Sequence, residues 1–474
     1  MAGGTTKKVI KAMSLFGGVQ VTNILCSLVR AKIIAVWIGP VGVGLFGIYN
    51  SVIDSVSNLT QLNLRQSSVR DISQCSEAEL PRMATTVRWW ALRLGLAGIA
   101  VMLLLSPALS YFSFSGMSHF WAFAVLAAVM LLMSVNQGEQ ALLQGSGRLK
   151  TLAKASMWGP VCGTAISVPL LYFFGIKGVV PTIIFFALAS LTASWVCSRS
   201  IKCATVPTAE IKAQGRKFLQ LGVYLTITAL ASPGATYVFL SYLNTVADTA
   251  QVGIYQAGYT LSVRYVDLVF AALAMEYYPR LSRIAHNASA TSKVVSHELS
   301  VILCVLLPLV IVFISADELM VRILYDAKFL AVVPMITISI CGAMLRATSY
   351  CMSFVIVARG DGRTYVVTET VSALIGLALN ITAYHFWGLI GIGVSYVVWY
   401  AAYTLIVGSV YVIKYGMGIS KKAMGIFAMS VITVGIAYCL KMLAWWAPLP
   451  LLLVALMVAV MAKRMGVSHV RRRL

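Results

Sequence analysis

Four polar stripes, each spaced for a single helix face, interrupt a chain that is otherwise strongly apolar. Gln20, Asn23, Ser27 and Arg30 follow at intervals of 3, 4 and 3, and Asn50, Asp54, Ser57 and Gln61 at 4, 3 and 4. Further along, Gln256, Thr260, Arg264 and Asp267 run at 4, 4 and 3, and Ser339, Gly342, Arg346, Ser349 and Ser353 at 3, 4, 3 and 4. Residues three and four apart lie on the same side of a helix. Asp54, Arg264, Asp267 and Arg346 fall near the middle of apolar stretches, where a charge costs roughly 2.5 to 3.5 kcal/mol even on a lenient insertion scale. Facing a shared water-filled cavity avoids most of that cost, so the stripes imply one.

Guanidinium groups stay charged and donate paired hydrogen bonds to phosphate oxygens, which makes Arg30, Arg264 and Arg346 candidates for an anionic ligand. The carboxylates leave two readings open. Arg264 and Asp267 could neutralise each other three residues apart, and Arg30 and Asp54 could do so between neighbouring helices. Alternatively Asp54, Asp267 and Glu139 could bind a coupling ion. Lys32 lies near a helix end and can reach water by its own length. Glu139, Glu276 and Glu369 sit at the ends of apolar stretches, as interfacial residues or as parts of a cytoplasmic gate.

Other motifs carry no chemistry. Gly42 to Gly47 matches G-x-G-x-x-G but opens an apolar helix with no strand before it, so it is not a nucleotide fingerprint. No Walker-type lysine motif occurs, and the five histidines lack cysteine or carboxylate partners at metal-ligand spacing. No cofactor and no metal are expected. The nine cysteines form no Cys-x-x-Cys pair and are expected as free thiols.

The elements that must position these residues follow from composition. Hydrophobic residues make up 59% of the 474, charged ones 11%, and mean hydropathy is +0.86. Such a chain cannot clothe a soluble domain and reads as an all-α integral membrane protein. A span needs roughly 20 apolar residues to cross about 30 Å of hydrocarbon, and on that yardstick about fourteen are expected, the first over 10–37 and the last over 448–462. Most of the 37 basic residues fall in alternate connections, which predicts cytoplasmic N- and C-termini. The net charge of +22 is then mainly a topology signal, with anionic lipid headgroups as secondary partners and no nucleic acid. No cleavable leader is expected.

Signposts recur about 210 residues apart. Gly145-Ser146-Gly147-Arg148 parallels Gly360-Asp361-Gly362-Arg363, Val43-Gly44-Leu45-Phe46 parallels Val252-Gly253-Ile254-Tyr255, and Phe173 to Gly178 parallels Phe386 to Gly391. A shift of six spans keeps both halves the same way up, a parallel repeat. The expected organisation is two pseudo-symmetric six-helix lobes around a central cavity, over 1–200 and 201–415. Two additional helices and a basic cytoplasmic tail follow over 416–474. No connection is long enough for a soluble catalytic domain.

At these residues the chain resembles the polysaccharide-transporter branch of the multidrug/oligosaccharidyl-lipid/polysaccharide exporter (MOP) superfamily, especially the O-antigen and related lipid flippases. The likeness covers nearly the whole chain. It rests on Ile38 to Gly44, on Val252 to Ala257, on Tyr278-Pro279-Arg280-Leu281-Ser282 and on the Gly-x-Gly-Arg loops. It implies an alternating-access flippase of the bacterial inner membrane that moves an undecaprenyl-pyrophosphate-linked oligosaccharide from the cytoplasmic to the periplasmic leaflet. The resemblance also implies cavity arginines on the first, second and eighth helices. Arg30 and Arg264 match two of these, whereas the second helix departs, with Asp54 at its centre and Arg65 only at its inner end.

On this reading Arg30, Arg264 and Arg346 meet the pyrophosphate, while Gln20, Asn23, Asn50, Gln61 and Gln256 meet sugar hydroxyls. Moving about two negative charges outward across 100 mV gains roughly 4 to 5 kcal/mol, so ATP is not required; proton or sodium coupling through Asp54, Asp267 or Glu139 is equally compatible. Expected partners are the lipid-linked oligosaccharide, membrane lipids and other glycan assembly proteins. A cation-coupled drug exporter of the same superfamily is the alternative, and would need acids to outnumber bases in the cavity. A membrane glycan polymerase or ligase would instead need a large periplasmic loop with clustered catalytic residues.

Overall fold

The computed structural model describes residues 2–460, and over them the chain is helical with no strand. The basic tail expected beyond residue 461 lies outside the described residues. The helices are α1 (Ala2–Trp37), α2 (Pro40–Gln61), α3 (Leu64–Gln74), α4 (Leu80–Phe114), α5 (Phe120–Gly145), α6 (Leu149–Phe174), α7 (Val179–Ser198) and α8 (Thr208–Val246). They continue as α9 (Thr249–Tyr259), α10 (Tyr265–Ser282), α11 (Ala288–Leu324), α12 (Val333–Cys341), α13 (Ala343–Ala358), α14 (Gly362–Ser409) and α15 (Lys421–Lys441). A last apolar helix covers Leu449–Val460.

Seven helical runs are long and apolar enough to cross a membrane, or up to eight if the bent pair α12 and α13 forms one span. This is a multi-pass membrane protein. Two of the runs, Leu149–Ser198 and Gly362–Lys414, are 50 and 53 residues long. Each is broken by a glycine outside helical geometry, Gly175 at φ 53 and ψ −128 and Gly388 at φ 59 and ψ −140. Left-handed φ is cheap only for glycine. All nine cysteines are free.

The chain forms two compact units, Met1–Gly253 and Ile254–Leu474. In the first, α4 packs on α5, α6 on α7, and α8 runs against α2, α3 and α4. An apolar cluster of Ile72, Ala84, Val87, Leu142, Leu143, Leu152 and Ile201 locks one end of these helices together. In the second, α14 lies on α12 and α13, and α15 on α11.

The repeat has a sharper register than the sequence strings suggest. Gly147 at φ 73 and Gly360 at φ 72 are the two left-handed turn residues, and every backbone bond around them recurs 213 residues on. Gly147 N–H donates to Gln144 O, Arg148 to Leu143 and Leu149 to Gly147; Gly360 donates to Val357, Asp361 to Ile356 and Gly362 to Gly360. The two Gly-x-Gly-Arg strings, which align 215 apart by letter, are therefore offset by two residues in space. The glycine that turns the chain is the second in one string and the first in the other.

Three features re-aim the predicted stripes. Residues Thr260–Arg264 form a π-helical turn between α9 and α10. One extra residue in a turn shifts the register of everything after it, so Asp267 leaves the face that a regular helix would share with Arg264. The break at Gly342 bends α12 against α13 by 46°. A short amphipathic helix, α3, occupies what the sequence suggested was connecting loop, with Leu64, Ser67, Ser68 and Ile72 buried.

Candidate functional site

In the first unit, Arg30 of α1 is half-buried. Its guanidinium carbon lies 4.2 Å from the ring centroid of Phe186 in α7 and 5.0 Å from that of Phe46 in α2. Cation–π contact of this kind stabilises a guanidinium by about 0.5 to 2 kcal/mol without neutralising it. Arg30 makes no ion pair among the described residues, so the Arg30–Asp54 pair considered above does not form here. Asp54 is exposed on α2.

The amides around Arg30 are disposed differently from one another. Gln20 is exposed, and Asn23 is half-buried with its Oδ1 lacking a hydrogen-bond partner among the described residues. Asn50 turns its Nδ2 back to Phe46 O at 2.6 Å, and so braces the helix turn that carries the ring under Arg30. Gln61 is 3% exposed with Nε2 unpartnered among the described residues. Ser27 is bonded to Ile24 O and Ser57 to Asp54 O, which removes both hydroxyls from simple cavity lining.

Glu139 is fully engaged. Arg88 Nε donates to its Oε1 at 2.7 Å and Arg88 Nη2 to its Oε2 at 2.8 Å, while Ser198 Oγ donates to Oε2 at 2.5 Å. Arg88 Nη1 also donates to Ile201 O at 3.2 Å. This bidentate pair ties α4, α5 and α7 to the connection leading into α8.

The second unit holds the other two arginines in contrasting settings. Arg346 of α13 pairs with Asp267 of α10 through a short Nη2–Oδ1 contact. Its Nη1 donates to Val263 O and to Tyr396 Oη, each at 3.3 Å, and its guanidinium carbon is 5.3 Å from the rings of Phe270 and Tyr400. The arginine side chain is 14% exposed and the carboxylate 44%. Asp267 thus has Arg346 as its ion-pair partner, and Arg264, the expected one, makes no ion pair among the described residues. Arg264 stands exposed at the end of the π-helical turn, and Gln256 is half-buried two turns earlier.

The residues that sequence reasoning missed are the aromatic walls: Phe46 and Phe186 around Arg30, and Phe270, Tyr396 and Tyr400 around Arg346. Only the last pair left a signal, since Tyr396, Tyr400 and Tyr403 recur at 4 and 3 on one helix face. Phe46 and Phe186 are ordinary apolar letters in apolar helices. Among the described residues no group of three or more histidines, cysteines or carboxylates could hold a metal.

Helices of this order, with unpaired and paired arginines inside them, define a membrane transporter fold. The model of the polysaccharide biosynthesis protein family matches residues 33–334, well over half the chain, and the protein belongs to that family. Among solved structures, the fold is similar to lipid II flippase MurJ in its inward closed conformation, at 14% identity and a TM-score of 0.72, covering 97% of this chain and 99% of that one. It is also similar to an inward-facing multidrug resistance MATE family transporter of the MOP superfamily, at 14% identity and a TM-score of 0.68 over 83% and 94% of the two chains. A MOP superfamily transporter from Pyrococcus furiosus, described as having a binding pocket of reverse polarity, matches at 13% identity and a TM-score of 0.59 over 86% and 96%. No curated protein sequence matches the chain. Family and fold together make this a polysaccharide transporter of the MOP superfamily, as the resemblance in the sequence led one to expect.

Proposed function

We propose that this protein is a flippase that carries an undecaprenyl-pyrophosphate-linked oligosaccharide, the unit of an O-antigen or related surface glycan, from the cytoplasmic to the periplasmic leaflet of a bacterial inner membrane. The observation that carries this reading is the contrast among arginines. Arg88, Arg280 and Arg346 have carboxylate partners, whereas Arg30 and Arg264 make no ion pair among the described residues. An intramembrane guanidinium left unneutralised is costly, and an anionic ligand that completes it returns that cost as binding energy. A pyrophosphate, with several acceptor oxygens and about two charges, fits both groups.

The polysaccharide family and the flippase fold support the same cargo class. Asn23 and Gln61, with unpartnered polar atoms, support hydrogen bonding to sugar hydroxyls. Outward movement of the anion down an inside-negative potential supplies roughly 2.3 kcal/mol per charge per 100 mV, and alternating access then needs no nucleotide.

The test is reconstitution in vesicles with a defined lipid-linked oligosaccharide, measured with and without a potential. Movement is expected in the wild type and is expected to be lost in Arg30→Ala and Arg264→Ala, both of which should still insert and fold. Unchanged movement in both variants, or direct binding of organic cations in place of the anionic lipid, overturns the proposal.

A further inference from the structure

Glu369 stands apart from the other acids held inside these helices. Glu139, Asp267, Glu298 and Asp317 each face a cation: Arg88, Arg346, Arg280 and Lys441 respectively. Glu369, half-buried two turns into α14, is met by hydroxyls instead. Tyr403 Oη donates to its Oε1 in a short bond, Ser353 Oγ lies 3.5 Å from the same oxygen, and Tyr403 Oη lies 3.3 Å from Ser353 Oγ. Tyr403 and Ser353 are each 8% exposed.

The surrounding groups offer no cation. Tyr365 lies one turn back on the same helix, and Tyr400 and Tyr403 face Glu369 from the far half of α14. On α13 the charged group is Arg346, engaged by Asp267; α12 carries none. At the ends of the pair, Lys414 is bonded to Asp361 and Arg359 lies 4.4 Å over the ring of Tyr415.

The hydroxyls form a ring that a proton can reverse without loss. Tyr403 has one hydrogen and two acceptors within reach. With Glu369 ionised, that hydrogen goes to the carboxylate. When a proton adds to a carboxylate oxygen, the new O–H can donate to Tyr403 Oη, and the tyrosine hydrogen turns to Ser353 Oγ. Every polar atom keeps a partner in both states, while the charge in the apolar helix pair is removed, a saving of kcal/mol order. The same tyrosine stripe reaches the other charged site. Tyr396 bonds Arg346 at 3.3 Å, its ring is 4.7 Å from Tyr400, and Tyr400 is 6.4 Å from Tyr403. One helix face therefore reads the carboxyl of Glu369 at one end and the Arg346–Asp267 pair at the other.

We propose that Glu369 is a proton-binding site of the transport cycle, and that its occupancy is communicated along Tyr403, Tyr400 and Tyr396 to Arg346. This rests on the transporter reading above, but the protonation itself can be tested without any cargo.

The first arm is infrared difference spectroscopy of the full-length protein in lipid as pH is stepped across the physiological range. The wild type is expected to show a carboxylic acid C=O band that rises as pH falls, is missing in Glu369→Gln and is shifted in Tyr403→Phe. The Tyr403→Phe shift decides the matter if Glu369→Gln does not fold. A band that persists in Glu369→Gln, or one that responds to added sodium and not to pH, overturns the proposal. The second arm measures lipid-linked oligosaccharide movement in vesicles with and without a pH gradient. Gradient dependence is expected to be lost in Glu369→Gln and kept in Glu369→Asp; unaltered dependence in Glu369→Gln overturns the coupling. If the wild type shows the band but moves no such lipid, the cargo assignment fails while Glu369 stands as a protonation site.

Discussion

Gly44 and Gly253 pack against each other reciprocally. A Cβ on Gly44 would fall 2.0 Å from Thr249 O and 3.0 Å from Gly253 N; a Cβ on Gly253 would fall 1.9 Å from Pro40 O and 2.9 Å from Gly44 N. The partners obey the same 209-residue relation as the glycines themselves, Pro40 to Thr249 and Gly44 to Gly253. Both sites lie in the first compact unit, where the opening turns of α2 and α9 meet backbone to backbone across a local twofold. Any side chain at either position forces the two helix starts apart.

Alanine at Gly44 or at Gly253 is accordingly expected to destabilise the protein by about 1 to 3 kcal/mol, the range for overpacking a close contact. The double variant is expected to cost less than the sum of the singles, because both open the same crossing. Thermal unfolding of the purified protein measures this. Two full, additive losses would show that the contact is not shared.

Arg346 and Asp267 should behave as a unit. Removing either leaves the other charge uncompensated in the second unit, so Arg346→Ala and Asp267→Ala are each expected to be destabilising, Arg346→Ala more so because the arginine is the more buried partner. A double-mutant cycle is expected to return a coupling of about 1 to 3 kcal/mol. A coupling near zero would mean that Asp267 is held by solvent and not by Arg346.

For Arg30 the expected distinction is between charge and shape. Arg30→Lys keeps a cation above Phe46 and Phe186 but loses the planar fork, and is expected to retain partial transport, about 10 to 100-fold below wild type, while Arg30→Ala retains none. Arg30→Met, with similar bulk and no charge, is expected to fold and to fail in transport. Initial rates of lipid-linked oligosaccharide movement check all three.

Asp361 predicts an acid limb in stability. This residue caps α14 by accepting from Thr364 N at 3.2 Å, and it also accepts from Lys414 Nζ at 2.6 Å and Tyr415 Oη at 2.8 Å. The Lys414 ammonium, with Tyr415 and Thr364, holds its carboxyl well below the usual carboxylate range. A carboxyl with a depressed folded-state pKa contributes stability that is present above the unfolded value near about 3.9 and is lost as pH falls through the folded one. The melting temperatures of wild type and Asp361→Ala should therefore differ most at neutral pH and converge in acid. A gap that widens as pH falls would refute this assignment.

The membrane class, the parallel repeat and the four polar stripes were legible in the sequence because each depends on local spacing and on the cost of placing charge in hydrocarbon. The likeness to the polysaccharide transporters was legible for a related reason, since glycine and proline at close approaches and turns leave letters that nothing else can replace. Gly44 and Gly253 announced their equivalence by equal spacing, but not that they touch.

Which charge meets which was decided only in three dimensions. The π-helical turn at Thr260–Arg264 shifts Asp267 off the face of Arg264 and onto Arg346, and no count of residues along an ideal helix could foresee one extra residue in a turn. Arg88 reaches Glu139 from another helix, 51 positions away in sequence. The walls of Arg30 are two phenylalanines indistinguishable, as letters, from those that face lipid. Helix propensity and apolar length act within a segment, whereas ion pairing and aromatic stacking act between segments, and only packing selects the partners.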